Sequence, residues 1–219
     1  MATSIPVRFA SRIMPMDVDD IVANELAPSE AAYVDPQHRL TLRHALSMSP
    51  GPSSGVFIGC MWNDDYAATL AACPCVVAAP SASIGLGSGL AFLTGRVAYV
   101  ANAAGPAVGV DTACSSSLVA CALGIDAIIG ISHTTQAVCG GVNALISART
   151  MGIIYRLGAL SPDGRCKTLD VGADGYGRAE ACAQCLLDKR DTESSIRITR
   201  VCVNQDARSS ALTAPRGSA

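Results

Sequence analysis

One cysteine stands where a covalent intermediate could form. In Val110-Asp111-Thr112-Ala113-Cys114-Ser115-Ser116-Ser117-Leu118-Val119-Ala120 it separates an apolar, strand-like run, Ala107 to Val110, from a helix-like run opened by three serines. A thiol at a strand-to-helix junction lies beside the unpaired N–H groups and positive dipole end of a helix, and both favour thiolate. A thiolate so placed can accept an acyl group as a thioester.

The other residues able to do chemistry read as structural. A general base must come within hydrogen-bond reach of its proton. His133 follows the helix that Cys114 begins, so at about 1.5 Å per residue it should lie roughly 20 Å from the thiol. His38 and His44 are six apart, do not share a helix face, and are expected as solvated helix residues. Without a nearby histidine, a cysteine hydrolase built on a Cys-His pair is not supported. Cys73-Pro-Cys75 and Cys182-x-x-Cys185 invite a metal reading, but zinc takes four ligands at characteristic spacings. No metal site is expected. Gly85 to Gly95 lacks the spacing of a phosphate loop and reads as close packing.

The elements that must position Cys114 follow from periodicity. Pro106 to Val110 is expected as a buried strand. Ser115 to Ile129 is expected as a helix with Leu118, Ala122, Ile125 and Ile129 along one face. Gln136 to Val142 reads as a second buried strand and Gly55 to Cys60 as a third. Ser29 to Leu46 reads as a helix interrupted near Asp35-Pro36, with Asp35 as N-cap and Pro36 in the first turn. Farther on, Ser161-Pro162-Asp163-Gly164 makes a turn, Ala181 to Leu187 a buried run, and Ser195 to Val203 a bulged strand. Alternating strands and helices predict a layered α/β domain.

Composition narrows the classes. The 219 residues are 50% hydrophobic and 16% charged, with a mean hydropathy of +0.34, which suits a chain with a substantial core. Net charge is −2 with no basic block, so nucleic acid is not an expected partner. Leu118 to Ile131 and Ala67 to Ala79, interrupted by Asp126 and Pro74, fall short of membrane-spanning length, so no membrane span is expected. The ten cysteines lie mostly in apolar surroundings, as at Cys121, Cys139 and Cys202, and fit buried thiols in a reducing compartment. That compartment is cytoplasmic, or a plastid or other organelle if Met1 to Met16, with Arg8 and Arg12 and no acids, is a transit peptide. Ordinary structure is the favoured reading of that segment.

Several motifs together resemble the β-ketoacyl synthases, the condensing enzymes of fatty acid and polyketide synthesis. The Cys114 segment matches their nucleophile loop, and Asp35-Pro36-Gln37-His38-Arg39 their Asp-Pro-Gln-x-Arg segment. Gly55-Val56-Phe57-Ile58-Gly59, Thr94-Gly95-Arg96 and Gly140-Gly141-Val142-Asn143 match runs around the nucleophile. Leu160 to Lys167, Ala173-Asp174-Gly175 with Arg178 and Glu180, and Val203 to Pro215 are similar to later signatures. The match runs from residue 29 to the end of the chain, with residues 1–28 matching in part at best. Ala179 and Ala181 stand where the family signature around Glu180 has glycines.

The resemblance implies a thiolase-type fold, two similar α/β halves about a pseudo-twofold axis, with this chain covering the N-terminal half. It makes Cys114 the acyl-accepting nucleophile, with its own N–H as half of an oxyanion hole and Thr112, Ala113 and Ser115 supporting the loop. Asp111, Arg96, Asp174, Arg178 and Glu180 become structural or interface candidates, the last two as an ion pair or dimer contact. No bound cofactor is implied; substrates arrive on the phosphopantetheine of an acyl carrier protein or on coenzyme A. Implied partners are that carrier protein and a second copy or complementary C-terminal half. The family's His-Gly-Thr-Gly-Thr and Asn-x-Gly-His motifs, which assist decarboxylation of a malonyl thioester, do not occur in this chain. The alternative is therefore a catalytically incompetent half-domain, a truncated gene product or a partner subunit. An uncovered half is expected to dimerise, pair with its complement or aggregate.

Overall fold

A computed structural model describes residues 25–26, 28–31, 33–73, 82–190, 196–211 and 214. The transit-peptide reading of Met1 to Met16, and Cys75 of the Cys73-Pro-Cys75 pair, lie outside these. Four strands form one sheet in the order β2-β1-β3-β4. They are β1 Ser54–Cys60, β2 Ala107–Val110, β3 Gln136–Asn143 and β4 Ala181–Asp188. β1 runs parallel to β2 and β3, whereas β4 is antiparallel to β3. The helices are α1 Pro28–Ala31, α2 Pro36–Ser47, α3 Asp65–Ala71, α4 Ala82–Ser88, α5 Leu90–Val100, α6 Ser116–Gly130 and α7 Ala148–Arg156.

Three layers result. On one face of the sheet, Leu40, Leu42 and Ala45 of α2 and Leu93 and Val97 of α5 pack on Val56, Ile58, Val138 and Val142. On the other, Ala120, Ala127 and Ile128 of α6 pack on Phe57, Val110, Ala137 and Cys139. Each interior strand thus buries both faces, as parallel strands do. This is the layered α/β arrangement expected, with α6 as the crossover between β2 and β3.

Local signals account for several boundaries. Asp35 caps α2, its Oδ1 accepting the Gln37 amide at 2.7 Å, and Pro36 occupies the first turn. Ser147 caps α7 by accepting the Arg149 amide at 3.1 Å. The Ser161–Gly164 turn closes with the Gly164 amide donating to the Ser161 carbonyl at 3.0 Å, and Gly164 takes a positive φ of 73°.

Other expectations are corrected. β2 is an edge strand with Ala107 and Val108 exposed, because only β1 flanks it. α6 presents to the sheet its small residues Ala120, Gly124 and Ala127, leaving Leu118 and Ile129 largely exposed. A bulky stripe reads as the core face in sequence, yet here the sheet lies too close for it: a Cβ on Gly124 would come 2.2 Å from Cys139 Sγ. The run Ala113–Gly130, 18 residues with mean hydropathy 1.7, is long and apolar enough to cross a membrane, contrary to expectation. Its packing against β1 and β3 is that of a core helix.

Ala181 to Leu187 is a strand but not buried: Ala181, Ala183 and Cys185 are exposed because α6 does not extend over β4. Residues 196–203 form no strand, for their alternation finds no sheet edge to join. Cys202, expected among buried thiols, is exposed. The glycine-rich stretch Gly85 to Gly95 folds into parts of α4 and α5. Only Gly87 among its helical glycines makes a close approach, since a Cβ there would lie 2.1 Å from the Tyr33 carbonyl oxygen. His38 is buried rather than solvated, because α2 is enclosed by the sheet on one side and by α5 on another.

Candidate functional site

Cys114 lies beyond the carboxyl end of β2, where ligands collect in open α/β sheets. A short 3₁₀ turn, Ala113–Ser115, joins β2 to α6. Ala113 has a φ of +56°, a conformation a side chain rarely adopts, and this lifts the next residue out of the strand direction. Hydrogen bonds hold the turn from both sides. The Asp111 carboxylate accepts the Ala113 amide at 3.0 Å. Ser116 Oγ accepts the Thr112 amide at 2.8 Å and donates to the Ala113 carbonyl at 2.7 Å. Ser115 Oγ lies 2.9 Å from both the carbonyl and the hydroxyl oxygen of Thr112. The Ser115 and Ser116 amides close onto Thr112 and Ala113, leaving the Cys114 amide outside those bonds.

Two glycines bring the helix close to the sheet. Gly59 and Gly141 are partners at the carboxyl ends of β1 and β3. A Cβ on Gly59 would lie 2.5 Å from the Ser116 carbonyl carbon and 2.6 Å from the Ser117 nitrogen. One on Gly141 would lie 2.8 Å from Ser117 Cβ. Only glycines let the first turn of α6 rest on these strands. That contact sets the height of Cys114 above the sheet.

The exposed thiol borders an open recess of about 300 Å³, whose walls include Gly59, Met61, Ser117, Asn143 and Arg178. Arg178 Nη2 donates to Asn143 Oδ1 at 3.2 Å, and Asn143 Nδ2 donates to the Ala179 carbonyl at 2.9 Å. Glu180 Oε1 accepts the Leu145 amide at 2.9 Å. Arg178 and Glu180 thus brace the loop after β3 through Asn143 and Leu145. Arg178 reaches the recess with Cys114; Glu180 is not among its walls.

The remaining candidates sit elsewhere. Arg96 pairs with Glu30 at 2.7 Å and donates to the Leu86 carbonyl at 3.2 Å, joining α5 to α1 and α4. Asp174 accepts from Lys167 Nζ at 2.7 Å and from Ser161 Oγ at 2.8 Å. The ammonium of Lys167 and then the Ser161 hydroxyl hold the Asp174 carboxyl below its usual range. This network folds the 161–174 loop on itself. Cys182 and Cys185, an odd number of residues apart in β4, point to opposite faces of the sheet: Cys182 packs with the α2 side, and Cys185 stands opposite Cys139 of β3.

No histidine among the described residues reaches Cys114. His133 is exposed past the far end of α6. His38 is enclosed on α2, where burial and then the charge of Arg96 push its pKa down to about 4. Sequence reasoning did not single out Ser116, Gly59 and Gly141 as supports of the thiol. For the two glycines a signal was present, since glycine inside a strand-like apolar run marks close backbone approach. It also missed a buried anchor between α3 and α7, where Thr150 Oγ1 lies 2.6 and 2.5 Å from the two carboxylate oxygens of Asp65.

Comparisons with known proteins identify the family and the fold. The family model for the β-ketoacyl synthase N-terminal domain matches residues 16–193. Over 210 residues the chain is 40% identical to a phenolphthiocerol/phthiocerol polyketide synthase of Mycobacterium tuberculosis, covering 89% of this chain and 10% of that protein. It is 34% identical over 208 residues to the cluster 41 polyketide synthase of Aspergillus flavus, covering 87% of this chain and 18% of that one. Among solved structures, the ketosynthase from module 6 of the Bacillus subtilis bacillaene synthase superposes with a TM-score of 0.70 at 28% identity, over 94% of this chain and 37% of that one. The ketosynthase domain KS7 of OzmH from the Streptomyces albus oxazolomycin system superposes with a TM-score of 0.67 at 30% identity, over 75% and 30%. The chain therefore spans a tenth to a fifth of these curated relatives.

Proposed function

Since the chain belongs to the β-ketoacyl synthase family, in its N-terminal domain, we propose that it is the acyl-accepting part of a polyketide synthase ketosynthase. The observation that carries this reading is the exposed Cys114 thiol, held by a strained, doubly anchored turn at the start of α6 and opening on a recess. Cys114 Sγ attacks the carbonyl carbon of an acyl thioester on a carrier-protein phosphopantetheine arm. A new C–S bond forms, the carrier thiolate leaves, and it takes up the proton released by Cys114. The Cys114 amide donates to the developing oxyanion.

Condensation with a malonyl thioester needs groups to assist decarboxylation, and no histidine in the described site supplies them. In this reading they come from a complementary half seated over α6, whose uncovered Leu118, Leu123 and Ile129 fit such a cover. The exposed edge β2 is the surface read as the contact with a second copy. The test is incubation of the 219-residue chain with an acyl-loaded carrier protein, followed by peptide mapping. An acyl mass on the Cys114 peptide, absent in Cys114→Ala, is the expected result. Equal acylation of Cys114→Ala overturns the assignment, and carbon dioxide release from malonyl thioester by the chain alone overturns the role of the second half.

A further inference from the structure

The recess beside Cys114 is uneven in charge. Its walls carry one cationic side chain, the Arg178 guanidinium, and no carboxylate. The other polar groups there, on Asn143, Ser116 and Ser117, are neutral. Arg178 itself is only partly satisfied. Nη2 donates to Asn143 Oδ1 at 3.2 Å, while Nε is buried and makes no hydrogen bond. Among the described residues no carboxylate forms an ion pair with it. Two acids share its surroundings but are held elsewhere. Glu180, two residues on, accepts the Leu145 amide. Asp65 lines an adjoining crevice with Arg178, but Thr150 Oγ1 takes both of its oxygens.

A half-buried guanidinium with only a neutral partner bears the desolvation cost of its charge without the return of an ion pair. Such an arginine is a ready receptor for a carboxylate, to which its remaining N–H groups can donate. Asn143, fixed in turn to the Ala179 carbonyl at 2.9 Å, holds the guanidinium in place, so a ligand need not order it. We propose that Arg178 is a carboxylate-binding residue of this recess, selecting thioesters that carry a free carboxylate. That carboxylate belongs either to the acyl group passed to Cys114 or to a malonyl-type extender brought up to it. The proposal rests on the reading of Cys114 as the acyl acceptor.

The test compares two alkylating agents of near-equal size, anionic iodoacetate and neutral iodoacetamide, on the 219-residue chain, with mass mapping of the Cys114 peptide. The iodoacetate-to-iodoacetamide rate ratio at Cys114 should fall on the order of tenfold in Arg178→Gln, the factor that one charge-assisted hydrogen bond supplies. Arg178→Lys, which keeps the charge, should lose less. A merely structural role would change both rates together and leave their ratio alone. In the unsubstituted chain added salt should lower the same ratio, which decides the matter even if a variant fails to fold. A ratio unmoved by substitution or by salt overturns the proposal. Failure of both agents to label Cys114 overturns instead the nucleophile reading beneath it.

Coenzyme A thioesters then identify the source of the carboxylate. Faster acylation of Cys114 by succinyl- than by butyryl-coenzyme A, with the difference lost in Arg178→Gln, places it on the acyl group. Tighter calorimetric binding of malonyl- than of acetyl-coenzyme A to the chain with Cys114 already carbamidomethylated, likewise lost in Arg178→Gln, places it on the extender. No preference in either comparison overturns the proposal.

Discussion

Replacing Gly59 by alanine tests how the sheet sets the position of Cys114. The added methyl would lie 2.5 Å from the Ser116 carbonyl carbon and 2.6 Å from the Ser117 nitrogen. Both are backbone atoms, so no side chain can swing aside. Carbon atoms rest at about 3.5–4.0 Å, so the start of α6 must retreat by roughly 1 Å. Overpacking of this kind costs about 1–3 kcal/mol. For a chain of this size that lowers the melting temperature by roughly 2–12 °C. The displacement carries the Cys114 turn with it, and a misplacement of about 1 Å can slow a positioned reaction on the order of a hundredfold. Two assays follow: thermal unfolding by circular dichroism, and the rate of Cys114 acylation from a carrier thioester. Gly152→Ala is the control, because its Cβ on α7 would meet nothing within 4 Å. It should raise stability by about 0.5–1 kcal/mol through helix propensity. A Gly59→Ala chain that melts and acylates like the parent would refute the argument that glycine here sets the thiol's position.

Three further expectations rest on other parts of the structure. Thr150→Val removes the hydroxyl donor to the buried Asp65 carboxylate and should cost about 1–3 kcal/mol; an unchanged urea midpoint would show that the anchor contributes nothing. His38 is held down to about 4 from 6.5, chiefly by burial, so its contribution is complete above 6.5 and is lost as pH falls toward 4. Asp35 is raised from 3.8 to about 6, first by burial, so its contribution is complete below 3.8 and is lost as pH rises through 6. At about 1.4 kcal/mol per pKa unit the two are each roughly 3 kcal/mol and nearly cancel. Asp35→Asn should then leave a chain that weakens on acidification from pH 6.5 to 4.5, and His38→Gln one that strengthens; parallel urea curves for both would contradict the opposition. Finally, iodoacetamide near neutral pH should label the exposed Cys114 faster than any other cysteine, and a rate no higher than theirs would count against its role as the nucleophile.

Local chemistry was legible where the residues responsible are neighbours in the chain. Asp35 and Pro36 start α2 because a cap needs only the next amides. The strand, turn and helix around Cys114 were readable because one short stretch carries the apolar run, the serines and the nucleophile. Burial was less legible. His38 sits in a polar-looking helix segment yet is enclosed, since α5 and the sheet arrive from distant parts of the chain. Leu118 and Ile129 of α6 read as part of its core stripe, but helix-to-sheet closeness turns Ala120, Gly124 and Ala127, with Ile128, inward instead. Ser195 to Val203 has strand-like alternation, and alternation alone cannot supply a neighbouring strand.

The sequence by itself therefore determined which residue is the nucleophile candidate, which family it resembles, and the order of elements that deliver it. Those follow from residue type and near spacing. Only the tertiary structure decided how that residue is held. Gly59 and Gly141 lie over fifty residues before and over twenty after Cys114, and both act by what their missing side chains admit. The same holds for Cys139, which sheet register sets opposite Cys185 and helix packing sets against Cys121. Absence of a clash and convergence of distant groups are properties of packing, and a one-dimensional pattern does not encode them locally.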